Sequence, residues 1–160
     1  MFDDKKISQV KDHLKRKHET IAVAESVTSG LLQAALGSAE MATDFYQGGL
    51  TAYNIGQKCR HLHVDPIEAL KCNCVSKKMA GGMALGICQT FTSDWGIGIT
   101  GYATPVPESG DDLYAFMAIA YKGEVVLEQK LSGKKTDDAL QVQLGYVDDI
   151  LNALLQSLEK

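Results

Sequence analysis

Apolar residues recur at helical spacing near both ends of the chain and as short runs between them. Ile7, Val10 and Leu14 stand at i, i+3 and i+7 among charged neighbours, which predicts an amphipathic helix over 5–18. The mostly apolar run 20–24 reads as a buried strand, followed by the hydroxyl-rich turn Glu25-Ser26-Val27-Thr28-Ser29-Gly30 and a helix over 31–36. Residues 48–53 read as a second strand, 55–62 as a short helix, and Pro66 opens another helical turn. Ser76 is placed to cap a helix running to about residue 91. That helix carries Gly81, Gly82 and Gly86, each costing roughly 1 kcal/mol against alanine, so a second backbone is expected to pack closely on it.

Residues 95–100 alternate glycine with apolar side chains and read as a central strand, and 101–112 as a loop. Runs over 113–121 and 124–131 meet at Lys122-Gly123 as a hairpin. Thr136 caps a last helix to about 158, with Asp137 and Asp138 in its first turn and Leu140, Leu144, Val147, Leu151 and Leu154 as its inward stripe. The order predicts an α/β fold, a three-layer α/β/α arrangement with a mixed sheet of about five or six strands, in a single domain over 1–160.

Composition narrows the class. A chain of 160 residues should bury roughly 70% of its unfolded surface without staples. Its 16 basic and 20 acidic residues give a net charge of −4, which argues against a nucleic-acid partner. No apolar run approaches the roughly 20 residues of a membrane span, and the first residues lack a signal-peptide core, so a cytoplasmic domain is expected. Cys59, His61, His63, Cys72 and Cys74 crowd one stretch, but C-x-H-x-H and C-x-C are not the spacings of structural zinc sites. With Cys88 they read as reduced thiols, and no metal is assigned.

Two places could carry chemistry. A strand-to-helix turn offers unpaired backbone N–H groups and a favourable dipole for developing negative charge, and Ser26 stands at its start. The alternative is that Ser26, Thr28 or Ser29 merely caps the helix. Lys58 follows an apolar strand, and burial would lower its pKa enough to make it a base. The alternative is an exposed lysine on a short helix.

Taken together, these blocks resemble one family. Ala24-Glu25-Ser26-Val27-Thr28-Ser29-Gly30 resembles the Ala-Glu-Ser-Cys-Thr-Gly-Gly signature of the CinA C-terminal domain family, the nicotinamide-nucleotide amidases. Gly48-Gly49 through Tyr53 to Lys58 is similar to its Gly-Gly-x-x-x-Tyr-Ser-Asn-Glu-x-Lys segment. Val75-Ser76 with its small-residue helix, and Thr100-Gly101-Tyr102-Ala103-Thr104-Pro105, match two further blocks in family order. The resemblance implies deamidation of nicotinamide mononucleotide to nicotinic acid mononucleotide and ammonia, with no metal or organic cofactor. It makes Ser26 the nucleophile, Lys58 the general base and Tyr53 an aid to proton transfer. It places Glu25, Thr28, Ser29, Gly30, Gly49, Thr100, Gly101 and Lys135 around the substrate, and it alone raises a homodimer as an expectation.

The departures are specific. The Cys and first Gly after the nucleophile are Val27 and Ser29, and Asn54-Ile55-Gly56 replaces Ser-Asn-Glu. The family's Phe-Ser-Gly-Asp-Arg block has become Leu131-Ser132-Gly133-Lys134-Lys135, and the chain's arginines are only Arg16 and Arg60. Lysine cannot reproduce arginine's bidentate fork on a phosphate. Three readings stay open at this point: an amidase of this type, a catalytically silent relative that binds a small ligand or partner protein, and a metal-binding or unrelated small domain.

Overall fold

The structure, a computed structural model, describes residues 1–135 and 138–160. Five strands form one mixed sheet in the order β2-β1-β3-β4-β5. They are β1 (Ile21–Glu25), β2 (Tyr46–Thr51), β3 (Trp95–Gly101), β4 (Tyr114–Tyr121) and β5 (Glu124–Ser132). β1 pairs in parallel with both β2 and β3, whereas β3–β4 and β4–β5 are antiparallel. Lys122 and Gly123, both at positive φ, close the β4–β5 hairpin as its sequence predicts. The expected α/β sandwich is therefore present, with five strands.

The alternation within β1 and β3 decides which helices lie on which face. Ile21 and Val23, with Ile97 and Ile99, point into the larger core beneath α1 (Asp4–Lys17), α2 (Leu31–Gly37) and α6 (Ala139–Leu158). Ala22, Ala24, Gly96 and Gly98 face the other way, toward α3 (Ile55–Leu62), α4 (Pro66–Lys71) and α5 (Lys77–Phe91). A Cβ on Gly96 would meet the carbonyl oxygen of Ala84, and one on Gly98 that of Ala80. The close backbone approach to α5 thus comes mainly from the strand glycines. Of the three helix glycines, Gly86 does meet a backbone, the Leu62 carbonyl, but Gly81 and Gly82 face the side chains of Glu128, Val125 and Val64.

Other expectations shift at their edges. β2 begins at Tyr46 and ends at Thr51, leaving Ala52 and Tyr53 beyond the strand. The buried stripe of α6 includes Val142, Tyr146 and Ile150, while Leu140 is exposed and Leu144 half-buried. Tyr146 turns inward because its hydroxyl donates to the Tyr102 carbonyl at 2.9 Å, which rotates the stripe. Thr136 and Asp137, expected at the start of that helix, lie outside the described residues. Asp138 is its N-cap, accepting from the Gln141 amide at 2.9 Å. No helix among the described residues is long and apolar enough to cross a membrane.

Candidate functional site

The carboxyl ends of the parallel strands β1, β2 and β3 meet where the chain, after adding β2 on one side of β1, crosses to add β3 on the other. Such a crossover leaves a crevice at the strand ends, the usual ligand position in α/β sheets. Ser26 follows β1 there and its amide donates to the Ile99 carbonyl at 3.1 Å, tying the turn to β3. From β2 the chain passes Tyr53 and enters α3, where Asn54 caps the helix by accepting from the Gln57 amide at 3.1 Å. One turn in, Lys58 points back under the sheet end.

Lys58 is only 1% exposed, and its Nζ lies 3.0 Å from Ser26 Oγ and donates to the Ala52 carbonyl at 2.8 Å. Burial drives its pKa below the ordinary lysine value, and the thiols of Cys74 and Cys59 act weakly in the opposite sense. With no carboxylate paired to it among the described residues, this buried lysine gives up its proton more readily than an exposed one, which suits it to act as a base toward the adjacent hydroxyl. The burial reading of Lys58 holds, and the solvent-exposed alternative does not.

Glu25 explains why Ser26 is free of capping duty. Its fully buried carboxylate accepts from the Thr28 hydroxyl and from the amides of Gly30, Leu32 and Gln33 at 2.5, 3.2, 3.0 and 2.8 Å. The start of α2 is thus neutralised by a carboxylate from the preceding strand, and neither Ser26 nor Ser29 caps it. Those helix-start amides are no longer available to a bound oxyanion or phosphate. The Ser29 amide donates to the Ser26 carbonyl at 3.1 Å, which among the described residues leaves the Val27 and Thr28 amides as the uncommitted donors beside Ser26. Gln143 of α6, whose Nε2 donates to the Val27 carbonyl at 2.7 Å, fixes the orientation of that peptide and hence of the Thr28 N–H on its other side.

These groups open onto a cleft of about 440 Å³. Ser26, Lys58, Tyr53, Thr100 and Gly101 all border it, joined by Asn73, Cys74 and Tyr102. Tyr53 stands at the rim, 70% exposed. The Thr100 hydroxyl is engaged with the Cys74 carbonyl at 2.7 Å, and Asn73 donates to the Tyr102 hydroxyl at 3.2 Å. Glu25 and Thr28 lie buried behind the cleft, Ser29 and Gly30 sit at the helix start, and Gly49 packs against Val23 and Gln33. Lys135 is elsewhere, in a separate cleft beside Tyr114 and Lys130, where it pairs with Asp112 at 2.8 Å. Gln143 and Asn73 escaped the sequence reading because each acts through a contact across distant segments. Tyr102 stood inside a matched block and could have been singled out there. The cysteines are unpaired, and no group of three His, Cys, Asp or Glu side chains is placed to hold a metal among the described residues.

Comparison with known proteins identifies the family and the fold. A family model described as the CinA C-terminal domain matches residues 3–158. A CinA-like protein of Picosynechococcus sp. is 40% identical over 110 residues, covering 69% of this chain and 26% of that protein. A CinA-like protein of Dictyoglomus thermophilum is 33% identical over 150 residues, covering 91% of this chain and 36% of that protein. The chain therefore spans well under half the length of these curated relatives. A solved CinA superfamily protein of Escherichia coli shares 28% identity at a TM-score of 0.90, covering 96% of this chain and 89% of the other. One from Klebsiella pneumoniae shares 25% at 0.91, covering 98% and 97%. With the match running from the first helix to the last, the chain belongs to the CinA C-terminal domain family.

Proposed function

We propose that this protein is an amidohydrolase that cleaves a linear carboxamide through a Ser–Lys mechanism, acting on the nicotinamide carboxamide that the substrate implied by the family resemblance carries. The observation that carries the reading is the 3.0 Å contact between the buried Lys58 amine and the Ser26 hydroxyl. In its neutral form Lys58 keeps one N–H on the Ala52 carbonyl and turns its lone pair to Ser26. Ser26 Oγ attacks the carboxamide carbon as its proton passes to Lys58 Nζ. The Val27 and Thr28 amides stabilise the oxyanion.

Collapse of the tetrahedral intermediate breaks the C–N bond. Lys58 returns its proton to the departing nitrogen, ammonia leaves, and an acyl-Ser26 ester remains. Water then attacks that ester with Lys58 again accepting a proton, releasing the carboxylic acid and restoring Ser26. Tyr53, at the rim, assists proton transfer through the substrate or one bridging water. This chemistry requires neither metal nor organic cofactor.

The test is ammonia release from nicotinamide mononucleotide, nicotinamide riboside and nicotinamide, with Ser26→Ala as control. Release abolished by Ser26→Ala supports the reading. No release from any of the three, with the protein folded, leaves a ligand-binding relative in its place.

A further inference from the structure

We infer that the cleft is built for an aromatic carboxamide without a phosphate group, as the nucleoside or the free base, and selects against the phosphorylated form. This rests on the amidohydrolase reading above and specifies its substrate class. A phosphomonoester carries about −1.5 to −2 charge at neutral pH and needs cations or free amides to be held. Among the described residues, Lys58 is the only cationic side chain bordering the cleft. Its amine is already committed to Ser26 and Ala52. The amides at the α2 start, the other natural phosphate cradle, are filled by the Glu25 carboxylate. Lys135, the residue aligned with the family's missing arginine block, borders a different cleft and is paired with Asp112.

Phosphate also works against the base. A dianion near Lys58 favours its protonated form, raising the pKa that burial has lowered and removing the lone pair that Ser26 needs. The pyridinium ring of the nucleoside, without that phosphate, does the reverse, since a like charge beside an amine favours its neutral form, and the neutral ring of the free base leaves the amine as burial sets it. Two tyrosines border the cleft, Tyr53 at the rim and Tyr102, held by Asn73 and by an edge contact to Tyr114 with ring centroids 5.4 Å apart. Aromatic faces suit such a ring through stacking and cation–π attraction. Among the described residues the cleft thus supplies partners for the ring and amide, and no uncommitted cation for a phosphate.

The experiment pairs calorimetric binding to Ser26→Ala with ammonia release by the unmodified protein, using nicotinamide riboside and nicotinamide mononucleotide. The expected result is at least about tenfold tighter binding and higher kcat/KM for the riboside. Placing a cation at the exposed rim residue Leu70, as Leu70→Arg, should shift the ratio toward the nucleotide by about ten- to hundred-fold, the effect of one charge-assisted contact. Equal or tighter nucleotide binding by the protein overturns the inference, as does failure to bind either compound. Riboside selectivity in binding without ammonia release would instead overturn the amidohydrolase reading and leave the ligand class standing.

Discussion

Lys58 Nζ sits 3.0 Å from Ser26 Oγ across 32 residues of sequence, because β1 and β2 are parallel neighbours and each delivers its following segment to the same end of the sheet. The Ala52 carbonyl holds the amine from the far side at 2.8 Å. Ser26 and Lys58 are therefore held together by the sheet itself and by one turn of α3.

The rate of amide hydrolysis should rise with pH as Lys58 loses its proton. Because burial lowers the pKa of this amine, the inflection should fall below the ordinary lysine value of about 10.4. Lys58→Arg stays protonated throughout and should lose at least about 10²-fold in rate. A pH profile of kcat/KM checks both, and an inflection at or above the ordinary lysine value would remove Lys58 as the base.

Glu25→Gln should destabilise the fold by about 2–4 kcal/mol, since an amide replaces a buried carboxylate that accepts four hydrogen bonds and points two donors at donors. Urea midpoints measure the loss. A change within about 0.5 kcal/mol would mean that the carboxylate is not what holds the start of α2.

Glu19 should contribute to acid sensitivity. Burial pushes its carboxyl pKa up, but the Trp95 indole N–H at 2.8 Å and the Tyr121 hydroxyl at 2.6 Å, with Lys122, bring the net below the usual range. With the folded pKa below the unfolded one, its stabilisation is present above about pH 4.3 and is lost as pH falls through the folded value. Fluorescence of Trp95, the chain's single tryptophan, should report a shallower acid loss of stability in Glu19→Gln than in the unmodified protein.

Gly98→Ala should cost about 2–3 kcal/mol, because its Cβ would meet the Ala80 carbonyl and stand 2.7 Å from the Ala84 amide nitrogen, forcing α5 off the sheet. Chemical denaturation reads this directly, and a stability equal to that of the unmodified protein would show that α5 is free to move outward.

Much of this was legible in the chain. The limits of α3, the Ser76 cap and the glycine–isoleucine alternation of β3 all follow from local pattern, since each depends on near neighbours. The resemblance supplied Ser26 and Lys58 together, whereas spacing alone left both open. What stayed hidden depends on long-range contact. Glu25 reads as part of a signature, and only the fold shows it capping α2. A signal was present, because Glu25 shares the strand face of Ile21 and Val23, toward that helix. Gln143 and the rotated α6 stripe needed the positions of Val27 and Tyr102, which no local pattern encodes.

The most direct test of the central claim is labelling by a reactive organophosphonate, which reports an activated serine whatever the true substrate. Intact mass and peptide mapping should place one adduct on Ser26, and Lys58→Met should slow its formation by about 10²-fold or more at equal folded content. Labelling at another residue, or an unchanged rate in Lys58→Met, would contradict the pairing of Ser26 with Lys58.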